Sequence, residues 1–188
     1  MGLVLFITTP AMAQEMVKEF GLFFAGWTTG FINHEVGHYL TANLLGVDIE
    51  WRCSNANLTY YIRAKNGVDL RNTALGGTAA EILSSEALLY SRASKDNAFV
   101  IGWLTFNIVN PIQYVIRHEL QNGYGDLEIV KKHENGLKVE YLEAIKVGHA
   151  LFTAYRLWNN KEFRESKIKT FFLPTKNGGF VTGLTYNW

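Results

Sequence analysis

Two histidines and a glutamate form the pattern His-Glu-x-x-His between residues 34 and 38. Residues four apart on an α-helix share one face, so the imidazoles of His34 and His38 can reach a single ion. Glu35 follows His34 directly, and its carboxylate can act on a water bound to that ion without binding the ion itself. The pattern predicts a Zn2+ site held by His34 and His38, with Glu35 as the general base of a hydrolase.

A catalytic zinc site of this kind needs a third protein ligand, and three carboxylates compete for that position. Asp126 follows a Gly-Tyr-Gly stretch at a predicted helix start, where a glycine-flexed loop can fold it back toward the metal; it can equally be a plain N-cap. Glu81 and Glu86 lie on a neighbouring predicted helix, and Glu81 can instead orient a ligand imidazole. We expect the metal ligands to be His34, His38 and Asp126, with Glu81 and Glu86 as the alternatives to Asp126.

The other histidines and the cysteine have simpler interpretations. His118 and His149 are expected to be hydrogen-bonded structural residues, and His133, in a Lys-Lys-His-Glu run, a solvated surface residue. Cys53 is the only cysteine, so we expect neither an internal disulfide nor a cysteine-based metal site.

Four helices and a few strands are predicted to position these residues. Gly46 is the expected C-cap of the first helix, a β-hairpin is expected after it, and the alternating residues near the C-terminus predict an edge strand. The predicted helices are Val17–Leu45, Thr73–Ser91, Ala98–Ile116 and Glu140–Trp158, and the predicted hairpin strands are Val47–Trp51 and Leu58–Ala64.

The third predicted helix, Ala98–Ile116, has no charged side chain. Its length is close to the roughly 20 apolar residues that cross a bilayer. Because Asn107, Asn110 and Pro111 interrupt it, we expect either a membrane helix broken near its middle or a buried helix of a soluble protein. The fold class predicted is mainly α: a helical, multi-pass membrane metallopeptidase core with a small β-hairpin and a C-terminal strand.

Three elements of the chain resemble the membrane-embedded zinc peptidases of the site-2 protease family: His34-Glu-Val-Gly-His38, Asn110-Pro111 and Gly125-Asp126. The resemblance covers roughly residues 20–130. It implies that both histidines and the aspartate bind zinc and that Glu35 activates water. It also implies that Asn110 orients the substrate or an oxyanion near the metal.

A second resemblance involves the stretch Gly76-Gly77-Thr-Ala-Ala-Glu81. It is similar to a helix in the zinc protease domain of membrane-bound ATP-dependent proteases, where that helix precedes an aspartate ligand. The chain has no P-loop pattern, so this likeness is limited to the metal-binding core.

The balance of charges restricts the partners that the chain can have. Lys plus Arg number 18 against 17 for Asp plus Glu, so no basic excess indicates nucleic acid, and none is expected as a partner. The expected partners are a protein or peptide substrate, which can itself be membrane-associated, and the lipid bilayer. Two rival hypotheses are a soluble or periplasmic zinc peptidase and a non-catalytic metal-binding scaffold protein.

The N-terminal residues 1–13 are apolar and end in Ala-x-Ala, which is typical of the cleavage site of an export signal. They are expected to be a signal peptide or an ordered apolar segment. Residues 14–188 are expected to form a single metallopeptidase-like domain, because this length can bury one sizeable core. The expected location is the membrane.

Overall fold

The computed structural model describes residues 10–54, 57–64, 66–120, 125–134, 138–174 and 180–186. The described residues are mainly α-helical, as predicted, with two short antiparallel hairpins. The elements in chain order are α1 (Pro10–Leu45), β1 (Asp48–Ser54), β2 (Asn57–Arg63), α2 (Gly67–Tyr90), α3 (Ala98–Leu120), α4 (Gly125–Lys132), α5 (Val139–Asn159), α6 (Lys161–Glu165), β3 (Ile168–Pro174) and β4 (Phe180–Tyr186).

The four long helices, α1, α2, α3 and α5, pack side by side and alternate in direction. α1 lies against both α2 and α3, and α3 lies against α5. Their apolar core includes Ile101, Leu104 and Ile108 of α3 and Leu157 of α5. The short helix α4 lies against α2, α3 and α5 near the C-terminal end of α3, where Leu127 and Val130 belong to a second apolar cluster.

The predicted first hairpin is confirmed, with β1 and β2 paired antiparallel from Asp48 opposite Arg63 to Ser54 opposite Asn57. Gly46 ends α1 in the left-handed region at φ 65°, as expected for a C-cap. The predicted C-terminal edge strand is also confirmed as β4, which pairs with β3, a strand that was not predicted. Residues 1–9 lie outside the described residues, and residues 10–13, the end of the expected signal segment, belong to the first turns of α1.

α2 and α3 differ from the prediction in two respects. α2 begins at Gly67, earlier than the predicted Thr73: Asn66 is the N-cap of α2, and its side chain accepts a hydrogen bond from the backbone N–H of Asp69 at 2.9 Å. Of the two forms expected for the third helix, the one broken near its middle is wrong, since α3 runs continuously through Pro111 and most of its central residues are buried. Proline costs a helix one backbone hydrogen bond, and here α3 stays helical while packed against α1, α2, α4 and α5.

The close crossing of α1 and α2 depends on two glycines, Gly37 and Gly76. A Cβ on either residue would collide with the backbone carbonyl of the other. Because backbone atoms on two packed helices cannot move aside as a flexible side chain can, a larger residue must push the helices apart. This crossing lies within one turn of His34 and His38 and so fixes how closely α2 approaches them.

Replacing Gly37 with Ala is therefore expected to destabilise the fold, although Ala favours helices more than Gly does. We expect a loss of about 1–3 kcal/mol from overpacking, partly offset by a gain of up to about 1 kcal/mol in helix propensity. Gly148 of α5 is the matched control, because nothing lies within 4 Å of a Cβ there. Gly148→Ala should keep or raise the thermal unfolding midpoint; equal midpoints for the two variants would contradict the close-crossing argument.

Candidate metal centre

The buried face of α1 presents both histidines of the His-Glu-x-x-His pattern to α2. His34 is 2% exposed and His38 is 0% exposed. Both rings lie against Gly77 of α2, where a Cβ would be 2.5 Å from Nε2 of His38 and 2.6 Å from Cε1 of His34. Glycine at this position leaves the two imidazoles the space they occupy, which gives a physical reason for the second glycine of the Gly76-Gly77 pair.

Helix α4 brings Asp126 to the same point. Its Oδ2 lies 3.3 Å from Nε2 of His38 and 3.6 Å from Nε2 of His34, and the two Nε2 atoms are 3.1 Å apart. Ligand atoms about 2.0–2.2 Å from a tetrahedral zinc are separated from one another by roughly 3.3 Å. The three side chains thus fit one zinc ion in separation and in chemistry, with the fourth position left for a non-protein ligand.

Asp126 is suited to bind a cation because its charged form is favoured. Burial alone would raise the pKa of its carboxyl, but the close contact with the imidazoles of His34 and His38 outweighs that effect and holds the pKa below its usual range. The residue before it, Gly125, has φ 64°, and a Cβ there would lie 3.0 Å from Cε1 of Tyr114. Asp126 thus lies in the first turn of α4, at the helix start expected from sequence, and also reaches the two histidines.

Each imidazole has an acceptor behind it on α2. Nδ1 of His38 lies 2.8 Å from the backbone carbonyl oxygen of Thr73, and Nδ1 of His34 lies 2.9 Å from Oε1 of Glu81. A proton on Nδ1 leaves the Nε2 lone pair free for a metal, so these contacts favour the tautomer that a ligand needs. Glu81 lies on the far side of the His34 ring from Asp126, and of its two predicted roles the geometry matches that of orienting the imidazole.

The amide of Asn110 donates a hydrogen bond to Oε1 of Glu81. Asn110 therefore supports the carboxylate that orients His34, and its expected contact with the substrate stays a prediction. One turn earlier, Asn107 donates to the backbone carbonyl oxygen of Glu81 and to the hydroxyls of Ser84 and Ser85. The two asparagines that precede Pro111 thus connect α3 to the segment of α2 behind the site.

Glu86, the other candidate ligand, lies elsewhere. Its carboxylate accepts hydrogen bonds from Nη1 of Arg156 at 2.7 and 2.8 Å, and Nε2 of His149 lies 3.2 Å from it. The carboxylate thus joins α2 to α5 and is not among the groups that meet at His34 and His38. Glu86 as third ligand is wrong for a geometric reason: it lies more than one helical turn beyond Glu81, and its partners are on α5.

Glu35 lies next to the three converging side chains without joining them. It is half-buried, and its Oε2 atom has no hydrogen-bond partner among the residues that the structure describes. The charges that act on its carboxylate are those of His34, His38, Asp126 and Glu81. A carboxylate so placed can exchange a proton with a water in the open fourth position.

The remaining histidines lie away from this centre. Nδ1 of His118 lies 2.7 Å from Oε1 of Glu143, which joins α3 to α5, so the structural interpretation of this residue agrees with the contact. His149 belongs to the Glu86 group described above. His133 was expected to be solvated, but it is partly buried, and its ring faces Gly67.

Three neighbours of the site were not identified from the sequence. Thr73 contributes a backbone carbonyl, which no side-chain pattern reveals. The ring of Tyr114 lies 5.9 Å from the ring of His34, centroid to centroid. Lys146 is buried behind Tyr114. Its spacing of one helical turn from Leu142 and from Ala150 places it on the apolar face of α5, and this spacing is a sequence signal for a buried lysine.

The centre as a whole has three buried side chains that could hold a metal ion, acceptors behind both imidazoles and one further carboxylate beside them. Three protein ligands with an open fourth position are typical of catalytic zinc, whereas structural zinc has four protein ligands. This arrangement can activate a water and polarise a carbonyl group. Comparisons of the chain with models of known protein families, with curated proteins and with solved structures found no match.

Proposed function

We propose that the protein is a zinc-dependent peptidase that uses Glu35 as its general base. The observation that carries the proposal is the set of 3.1–3.6 Å separations among His34 Nε2, His38 Nε2 and Asp126 Oδ2, which suit a tetrahedral ion. The orientation of both imidazoles by Glu81 and Thr73 further supports it.

Zinc bound at this centre would supply Lewis acidity, lowering the pKa of a water and polarising the substrate carbonyl. His34, His38 and Asp126 would hold the ion, and Glu81 would keep the His34 ring in place. Glu35 would take the proton from the attacking water and later deliver it to the leaving amine. Its half-buried position is compatible with both tasks, because it is near the ligands yet open on one side.

A peptide is the substrate class that the surroundings favour. The hairpin of β1 and β2 directly follows α1 and contacts the ends of α1 and α2. Each strand of a two-stranded hairpin has one edge that pairs with no other strand of the described chain. An extended peptide could bind there by strand addition, with main-chain hydrogen bonds that tolerate varied side chains.

The direct test measures zinc content and hydrolysis together. Purified protein is expected to contain about one zinc per chain and to cleave fluorescently labelled, unfolded casein. Chelation should remove the activity, and added Zn2+ should restore it, because the ligands are expected to re-form the site. A protein that binds zinc but cleaves nothing would instead favour the hypothesis of a non-catalytic scaffold. A protein that binds no zinc would contradict the proposed metal site and the peptidase function with it.

We also propose that this peptidase works within a membrane. On α1, no exposed side chain between Gly21 and Leu45 is charged, and the same holds on α5 between Tyr141 and Trp158. The exposed residues there include large apolar ones: Phe24, Phe31, Ile32, Leu40 and Leu44 on α1, and Ile145, Leu151, Phe152, Tyr155 and Trp158 on α5. Exposed apolar patches of this extent favour contact with lipid or with another protein.

Several ionisable residues of the bundle point inward instead. His34, Glu81 and Lys146 are all buried, whereas the exposed charges lie near the helix ends. Ionisable residues facing the interior of a helix bundle are the expected arrangement in a bilayer. α2, α3 and α5 have 24, 23 and 21 residues, and at about 1.5 Å per residue each is long enough for a hydrocarbon core of about 30 Å.

Hydropathy identifies α3 as a candidate spanning helix. Among the described residues, α3 is the one helix that is long and apolar enough to span a bilayer by composition, and 56% of its most apolar window is buried inside the protein.

Alkaline carbonate extraction tests the membrane proposal. We expect the full chain to stay in the membrane pellet and to need detergent for release, because the exposed apolar faces of α1 and α5 would otherwise meet water. Release into the supernatant as a monodisperse protein would contradict the membrane proposal and favour the soluble peptidase. It would leave the zinc chemistry unaffected.

A further inference from the structure

Lys146 is a cation buried in the interior of the protein. It lies on the inner face of α5 with Leu142 and Ala150, and it is 1% exposed. Its Nζ has no hydrogen-bond partner within the part of the chain that the structure describes. An ammonium group without hydrogen bonds or a counter-charge is costly to bury, so such a group is rare unless it has a task.

The ring of Tyr114 contacts both Lys146 and the metal centre. Nζ lies over the ring of Tyr114, 5.0 Å from its centroid, and that ring lies 5.9 Å from the ring of His34. Tyr114 also packs against Gly125, the residue before Asp126. Taken together, these two distances place the ammonium no more than about 11 Å from the centre of the His34 ring, about the length of three residues of extended peptide at about 3.3 Å each.

The charge balance of the centre indicates what such a cation would bind. Glu35, Glu81 and Asp126 surround the metal position with carboxylates, and a further carboxylate brought in by a substrate would be repelled by them. A lysine ammonium is a compact positive charge with three donors, which suits a carboxylate. The substrate of a peptidase has carboxylates in two places, at its C-terminus and on Asp and Glu side chains.

We propose that Lys146 is a specificity-determining residue that binds a carboxylate of the peptide substrate, one to three residues from the scissile bond. This inference rests on the proposed peptidase function. It identifies the preferred substrates as peptides with a free C-terminus close to the cleaved bond, or with an acidic residue at a fixed distance from it.

The test uses the zinc-loaded full chain and a pool of decapeptides of varied sequence, each synthesised with a free C-terminal carboxylate and as its amide. Mass spectrometry gives the cleavage sites and rates. We expect a preference for acid over amide, or for Asp and Glu at one position, of about ten- to hundredfold, as for a hydrogen bond to a charged group. The acid and amide arms separate the C-terminal source from the side-chain source.

Lys146→Met should abolish that preference while cleavage of the neutral, amidated peptides continues, and Lys146→Arg should retain part of it. Lys138, exposed at the start of α5, is the matched control, and Lys138→Met should keep the full preference. A purely structural Lys146 would lower all rates together and leave the ratio unchanged, which would overturn the inference. If the wild type cleaves peptides with the help of Glu35 but shows no carboxylate preference, the role of Lys146 is overturned and the peptidase proposal stands. If no peptide is cleaved, both proposals are contradicted.

Discussion

Glu35→Gln is expected to lower kcat by about 10²- to 10⁴-fold while the protein keeps its zinc. The amide of Gln has nearly the shape of the carboxylate but cannot accept a proton from water. The three ligands are separate residues, His34, His38 and Asp126, so the metal site itself should stay intact. Metal analysis of the purified variant, together with initial rates on labelled casein, measures both parts of the prediction.

Glu140→Gln is the matched control for this experiment. Glu140 is exposed in the first turn of α5, so the same change in charge is made outside the centre. Its turnover and zinc content should equal those of the wild type. Undiminished turnover in Glu35→Gln would refute the general-base assignment, and loss of zinc from that variant would mean that Glu35 is a ligand, contrary to the geometry.

The local part of the centre could be predicted from the sequence because it depends on helical periodicity alone. The spacing of His34 and His38 places them on one face of any α-helix, and the structure puts both on the buried face of α1. Gly46 and the alternating residues after it likewise gave the end of α1 and the first hairpin, since caps and strand patterns act over a few residues.

The choice among Asp126, Glu81 and Glu86 could not be made with the same confidence, because it depends on how three helices pack. Glu81 and Glu86 lie on the same helix, yet one contacts His34 and the other contacts Arg156. That difference arises from the crossing of α1 and α2 at Gly37, which is a tertiary contact. Asp126 reaches the histidines only because α4 folds back onto α2 and α3.

The mean hydropathy of −0.01 also gave little guidance on the environment of the chain. It averages over both faces of each helix, whereas the structure separates them: Leu151 and Phe152 of α5 are exposed, and Lys146 and Thr153 of the same helix are buried. The sequence shows that these residue types are mixed, but which face turns inward depends on the neighbouring helices. Lys146 was overlooked for the same reason.

Asp126→Asn is expected to weaken zinc binding far more than Glu81→Gln does. Asn removes the negative charge of a ligand 3.3 and 3.6 Å from the two imidazole nitrogens, so we expect a loss of zinc affinity greater than about 100-fold and activity lost with the metal. Glu81→Gln removes only the acceptor behind His34. Loss of such an orienting partner typically costs about 10- to 100-fold in affinity or activity.

Competition with a chromogenic zinc chelator measures both affinities, and activity at saturating zinc separates the two roles further. With zinc in excess, Glu81→Gln should recover part of its turnover, because all three ligands are still present, whereas Asp126→Asn should stay inactive. Glu86→Gln is the control on the same helix as Glu81: it breaks the ion pair with Arg156 and should leave zinc affinity unchanged. If Glu81→Gln lost the metal and Asp126→Asn kept it, Glu81 would be the third ligand and α4 would have no part in the centre.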